Sequence, residues 1–226
     1  MAARSPVLTV RRDFARPPAD LVVRFGSAPV GNVADAQGRV GALDYRIKPV
    51  TRACRFAGAA LTVDAGPRDN LAAWVGISLA RPGDVLVIAT GGYTGAAVTG
   101  DLMAGMARNA GVIAIVTDGL VRDLDGLDAV DIPVFALGVT PNSPQKNGPG
   151  SVGLPIVVGG MNVAPGDVVC GDRDGVVIVA RERAAEVAQA LDSVREREAA
   201  IEEAIRAGAR EPAWLAETAD LVACIG

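Results

Sequence analysis

Two continuous apolar runs, DVLVIAT from Asp84 and VIAIVT from Val112, constrain this chain more than any other feature. Such runs suit strands buried on both faces, as in a parallel sheet covered by helices. Between them lies DLMAGMARNAG, in which Leu102, Met103, Met106 and Ala110 are expected to share a helical face and Gly111 to close the end. Strand, helix, strand is a parallel pair with a crossover, expected to be right-handed. Loops after consecutive parallel strands open on the same side. The loop GGYTGAAVTGD and the loop DGLVRD therefore meet at one rim, where open α/β sheets hold ligands.

The rest of the chain extends this α/β pattern. AGAALTVDA reads as a strand by its alternation, and RDNLAAWVGISLA as a helix that the turn RPGD stops. PADLVVRF and VGNVADAQGRVG suggest short helices, DGLVRDLDGLDAVDI a loop with a short turn, and PVFALG a third strand. From Gly153 the spacing shortens: LPIVVGG, DVVCG and GVVIVA read as strands parted by the turn signals MNVAPGD and DRDG. A long charged helix follows over RERAAEVAQALDSVREREAAIEEAIRAG, then a tail whose Trp214 and Leu215 are expected to dock on a neighbour. The reading is one domain over residues 1–226, with a core of about 26–182 and a C-terminal helix and tail, 181–226, in oligomer contacts.

Composition removes whole classes of chemistry. The chain has no histidine, which excludes Ser–His and Cys–His catalysis and histidine-bound zinc. Its two lysines, Lys48 and Lys146, stand in KP and QKNGPG contexts that do not favour a desolvated Schiff-base ammonium. Cys54, Cys170 and Cys224 are odd in number and far apart, so inert thiols in a reducing cytoplasm are expected rather than disulfides. A net charge of −4 without a basic block argues against nucleic acid. No stretch approaches the ~18 apolar residues of a membrane span, and the N-terminus lacks a leader's apolar core. With 50% hydrophobic residues, the excess apolar surface suggests a subunit interface. If the chain is an enzyme, its chemistry is expected to come from Asp, Glu, Arg, backbone dipoles and a metal.

Two clusters at the rim carry it. The N-terminus of the helix from Asp101 offers unpaired N–H groups and partial positive charge, and Gly100 allows close approach. That suits a carboxylate or phosphate, although Thr99 or Asp101 could simply cap the helix. Opposite stand Arg122 and Asp123. As sequence neighbours they are not expected to pair ideally with each other. They are either a solvated charge pair, or a metal-holding carboxylate beside an arginine fork that meets a developing oxyanion. Asp118, at the end of the second strand, raises a nucleotide-binding alternative, but GGYTG is not GxGxxG and the loop to Gly100 is long for that motif.

The stretches GGYTGAAVTGDLMAGMARNAGVIAIVTDGLVRD, IPVFALGVTP and PGDVVCGDRDGVVIVA resemble the 4-hydroxy-4-methyl-2-oxoglutarate aldolase family, which also contains the regulator of ribonuclease E activity A. The likeness runs from about Val33 to Gly208 and rests on GDLM, DGxVRD and GDxDGVV in that order. It implies a layered β/β/α fold like the swivelling phosphohistidine domain, and a homotrimer or a hexamer with sites at subunit boundaries. It implies a divalent metal, Mg²⁺ or Mn²⁺, and cleavage of a hydroxy-oxo acid to pyruvate with oxaloacetate decarboxylation beside it. By the same likeness, Gly100, Asp101, Leu102 and Met103 bind the pyruvyl carboxylate, Arg122 contacts the keto oxygen and Asp123 ligates the metal directly. Asp101 is the candidate for proton handling through water. Glu198 resembles a helix glutamate that reaches a neighbour's metal through water, and Lys146 could meet a distal carboxylate. The alternative within this likeness is a regulator that inhibits a ribonuclease by contact, without catalysis.

Overall fold

The computed structural model describes residues 5–221. The chain opens with β1 (Leu8–Val10), α1 (Ala19–Gly26), α2 (Val30–Ala36) and β2 (Lys48–Pro49). The central part follows as β3 (Phe56–Asp64), α3 (Leu71–Leu79), β4 (Asp84–Ala89), β5 (Ala97–Thr99), α4 (Asp101–Asn109), β6 (Ala114–Thr117), β7 (Leu120–Val121), α5 (Leu124–Val130), β8 (Val134–Ala136) and β9 (Gly138–Val139). Then come β10 (Gly150–Val152), β11 (Ile156–Val158), β12 (Met161–Val163), β13 (Val168–Asp172), β14 (Gly175–Val179) and α6 (Ala184–Arg206), with 3₁₀ turns at Arg181–Arg183 and Ala213–Leu221.

The main sheet runs β1-β10-β3-β4-β6-β8-β2, and β13 branches from β3 to carry β14. The expected parallel pairs form: β3 with β4, β4 with β6, and β6 with β8. Every residue of β4 and β6 is buried, as their unbroken apolar runs require. One core lies between this sheet and α3, α4 and α5, around Leu61, Leu86, Ile115 and Leu127. A second, around Phe135 and Phe56, lies against the β11–β12 hairpin. A third packs α1, α2 and α6 on β13 and β14 through Phe25, Val168 and Leu191.

Four local expectations change. On α4 the buried stripe is Met103, Ala104 and Ala107, whereas Leu102 is 72% exposed and Met106 54% exposed. The helix is turned by about one residue from the face its largest side chains would choose, so Leu102 is left at a rim. The loop after β4 contains β5, and the stretch after Asp123 is the full helix α5, where a turn was expected. MNVAPGD is not all turn, because Met161–Val163 pair back on β11. Of the tail, Trp214 is 57% exposed, while Cys224 lies outside the described residues.

Candidate active site

The two rim loops are joined by a small sheet of their own. β5 pairs with β7 in parallel, Ala97 opposite Leu120 and Thr99 opposite Val121, and β9 continues on β7. The Arg122 N–H donates to the Thr99 carbonyl at 3.1 Å, locking the arginine loop onto the residue that precedes Gly100. The sequence predicted that these loops would meet. Their joining strands are too short to leave a periodic signal.

Between the loops lies a pocket of about 160 Å³. Val98–Met103 form one wall, and Arg122 and Asp123 another. Asn70 and Trp74 of α3 close the back, with Ser143, Pro144 and Lys146 at the mouth. Gly100 is the N-cap of α4, and no side chain caps the helix there. The amides at this end keep the partial positive charge that favours an anion. A Cβ on Gly100 would stand 2.5 Å from Asp123 Oδ2 and 3.1 Å from Arg122 Cγ, so only glycine lets the charged pair lie against the helix start.

Arg122 and Asp123 do pair, contrary to the expectation from their adjacency: Arg122 Nε is 3.1 Å from Asp123 Oδ2. Asp123 has φ 61° and ψ 49°, and this left-handed turn brings its side chain back beside its neighbour's. Arg122 Nη1 also donates to Ser143 Oγ at 2.7 Å. The guanidinium is thereby held at two points, with the Arg122 and Asp123 side chains each more than a third exposed.

Asp101 lines the pocket too, but its carboxylate has local duties. Oδ1 accepts the Leu102 N–H at 2.7 Å, and Oδ2 lies where a Cβ on Gly126 would come within 2.5 Å. Asp118 is away from the pocket. It is buried and accepts the Thr90 N–H at 2.6 Å, the Thr90 hydroxyl at 3.1 Å and the Gly92 N–H at 3.2 Å. Its carboxylate folds the GGYTG loop, which accounts for its position without a ribose.

The mouth is fastened to the start of α3. Asp69 Oδ1 accepts the Leu71 N–H at 2.8 Å, and Oδ2 accepts the Asn147 N–H at 2.6 Å. Gln145 exchanges backbone bonds with Arg68 and Asn70 at 2.7 and 3.0 Å. This clamp brings exposed Lys146 to the pocket, where the polar loop alone gave no direction. Sequence reading missed Asn70, Trp74 and Ser143. Trp74 read as one more apolar residue of a packed helix, and a serine in a polar loop carries no signal.

Glu198 is not brought to Asp123 within one chain. It lies on α6, accepts a short hydrogen bond from Asn32 Nδ2, and lines a separate cavity of about 560 Å³ with Asp192, Arg195 and Glu202. Among the described residues no cluster of three or more His, Cys, Asp and Glu could hold a metal ion. Lys48 and Lys146 are both exposed, and burial pushes the Cys170 thiol up to about 12, leaving almost no thiolate at neutral pH. No helix among the described residues is long and apolar enough to cross a membrane.

Comparison with known proteins gives the family. The RraA-like family, described as Aldolase/RraA, matches residues 30–178. A Halalkalibacterium halodurans protein named "Putative 4-hydroxy-4-methyl-2-oxoglutarate aldolase" is 35% identical over 184 residues, covering 79% of this chain and 88% of that one. The RNA-processing inhibitor RraA from Thermus thermophilis is 31% identical with a TM-score of 0.63, over 68% of this chain and 93% of that one. Streptomyces coelicolor RraAS2, from the RNase ES inhibitor RraA family, is 26% identical with a TM-score of 0.70, over 84% and 99%.

Proposed function

The chain belongs to the RraA-like family of aldolases and RraA proteins, and on that premise we propose that it is a carbon–carbon lyase that releases pyruvate from 4-hydroxy-4-methyl-2-oxoglutarate or a related 4-hydroxy-2-oxo acid. The observation that carries this reading is the pocket that sets the N-terminal end of α4, Gly100–Met103, against Arg122 and Asp123. The amides take the carboxylate beside the ketone, and the Arg122 fork meets the keto oxygen. The C3–C4 bond breaks as the C4 hydroxyl loses its proton and becomes a carbonyl. The electron pair moves onto the keto oxygen, where Arg122 stabilises the enolate. A proton returned to C3 completes pyruvate, and Asp101 at the pocket wall handles protons through water. Oxaloacetate yields the same enolate when carbon dioxide leaves, so decarboxylation belongs to the same site.

The donor set suits a hard divalent ion. Asp123 offers one partly exposed carboxylate to the pocket, and Mg²⁺ and Mn²⁺ accept one or two carboxylates with water in the other positions. Asp123 would hold it directly, with Glu198 of a neighbouring copy acting through water. Such an ion supplies positive charge at the keto oxygen. On this reading the site lies at a subunit boundary of a trimer or hexamer of layered β/β/α domains. Pyruvate release, coupled to a dehydrogenase and measured with Mg²⁺, with Mn²⁺ and after chelation, tests the reading. Release that chelation abolishes is expected. No pyruvate from any 4-hydroxy-2-oxo acid or oxaloacetate with metal supplied would overturn it. It would leave the reading that the RraA inhibitor relatives favour, a regulator that binds a ribonuclease.

A further inference from the structure

Arg122 meets the keto oxygen on the lyase reading, yet more than a third of its side chain is exposed. A long exposed side chain keeps many rotamers unless something holds it. Two residues do. Asp123 Oδ2 lies 3.1 Å from Nε as an ion pair, an attraction that draws the guanidinium in without fixing its plane. Ser143 Oγ accepts from Nη1 at 2.7 Å, the one hydrogen bond of the Arg122 side chain among the described residues. A hydrogen bond weakens steeply as its angle closes, so it fixes direction as well as distance. Asp123 also has a second duty on the lyase reading, because its carboxylate is the one that would hold the cation. The neutral Ser143 hydroxyl has no such duty.

An exposed serine can orient an arginine only if its own backbone is fixed, and this one is tied on both sides. Ser143 precedes Pro144 in PNSP, and the proline ring disfavours the helical region for it. Before it, the Asn142 carbonyl accepts the Ala97 N–H of β5 at 2.9 Å, and the Thr140 N–H donates to the Val121 carbonyl of β7 at 2.9 Å. After it, Gln145 exchanges backbone bonds with Arg68 and Asn70, and buried Asp69 accepts the Asn147 N–H. The segment is bonded to both rim strands and to the start of α3. Its hydroxyl therefore keeps a set place relative to β7, which ends one residue before Arg122. We propose that Ser143 is a positioning residue of the reaction, whose hydroxyl holds the Arg122 guanidinium in the plane that meets the keto oxygen. The proposal rests on the lyase reading for what Arg122 does.

Ser143→Ala removes the acceptor, and Ser143→Thr keeps it in a residue that suits an extended backbone. Both are made in the full-length protein and assayed for pyruvate release with Mg²⁺. Ser143→Ala is expected to lower kcat about tenfold with KM within about twofold, because a misplaced reacting group is felt in the transition state more than in binding. Ser143→Thr is expected to keep kcat within about threefold of wild type. The motion of Arg122 is read separately, by ¹⁵N relaxation at its Nε, a signal assigned by its loss in Arg122→Lys. The order parameter is expected to fall by about a third in Ser143→Ala and to hold in Ser143→Thr. Three outcomes each overturn the proposal: unchanged kcat in Ser143→Ala, a rise in KM alone, or a fall in Ser143→Thr as deep as in Ser143→Ala. The last would show that the side-chain shape braces the loop and the hydroxyl does not act. Wild type that releases no pyruvate fails the lyase reading on its own. The relaxation then decides whether Ser143 holds the guanidinium: a lower order parameter in Ser143→Ala supports the hold, and an unchanged one overturns it.

Discussion

Arg122 Nε lies 3.1 Å from the Oδ2 of Asp123, its immediate neighbour in sequence. Consecutive side chains on an extended strand point to opposite faces, so β7 could not have supplied this pair had it continued. The chain leaves β7 at Val121 and enters the left-handed region at Asp123, which is also the N-cap of α5. The strain of a non-glycine residue there, of order 1–3 kcal/mol, is held by the β5–β7 pairing behind it and α5 ahead. Two opposite charges thus share one pocket wall, and each limits how the other can move.

Arg122→Lys tests the fork. Arg122 reaches Asp123 through Nε and Ser143 through Nη1 at once, leaving its remaining donors for a ligand. A lysine ammonium can hold one of these partners but not span both. Loss of an oxyanion contact of this type lowers kcat by ~10²–10³, with thermal stability little changed because the site is half exposed. Near-normal turnover of pyruvate would remove Arg122 from the chemistry.

Gly100→Ala tests the closeness of the pair to the helix start. The added methyl would overlap Asp123 Oδ2 at 2.5 Å and crowd Arg122 Cγ at 3.1 Å. The backbone at Gly100, φ −152°, is extended and accepts alanine, so the effect is steric at the site and not a folding defect. Pyruvate release is expected to fall at least tenfold, an order-of-magnitude figure for a displacement of about 1 Å at a reacting group, while the denaturation midpoint stays within a few degrees. Full activity would show that the ion pair can shift without consequence.

Cys170 gives a test of chemical silence. Its thiol is buried, donates weakly to the Val177 carbonyl at 3.6 Å, and is pushed up to about 12. Only thiolate alkylates, so the folded protein's Cys170 peptide should remain unlabelled by iodoacetamide as pH rises from 7 to 9. In denaturant the ordinary thiol value of ~8.5 returns and labelling should rise steeply over the same range. Labelling of native Cys170 at pH 8, read by peptide mass spectrometry, would mean that the β13–β14 core opens locally.

The parts legible in the sequence were those with a period or a run. The apolar runs mark β4 and β6, and their parallel order brings Gly100 and Arg122 to one rim. The family match covers residues 30–178, and Glu198 lies beyond it on α6, whose glutamates repeat in a register that many charged helices share. β5, β7 and β9 are two or three residues long and cannot show alternation, so the sheet that couples the two loops was invisible. Leu102 and Met106 do not share the buried face of Met103, because α4 packs through Met103 and its small residues Ala104 and Ala107. The Arg122–Asp123 pair depends on one backbone dihedral, for which neighbouring residue types carry no rule.

Beyond the β1–β10 pairing, the N-terminal arm is held by a buried charge pair, and Arg16→Ala should expose how much it stabilises the sheet. Arg16 binds Asp84 twice, Nε to Oδ1 at 2.6 Å and Nη2 to Oδ2 at 2.8 Å, and its guanidinium lies 4.0 Å from the Phe14 ring centroid. Asp84 opens β4 and is 1% exposed in its side chain, with the Arg81 N–H at 2.8 Å as its remaining partner. Removing Arg16 leaves that carboxylate in the interior without a counter-charge, which costs about 3–5 kcal/mol. Guanidinium unfolding should show the midpoint falling with the slope unchanged, because the surface exposed on unfolding is nearly the same. A loss below about 1 kcal/mol would mean that water reaches Asp84 once the arm is released. Arg16→Lys restores the charge but not the bidentate fork and should recover only part of the loss.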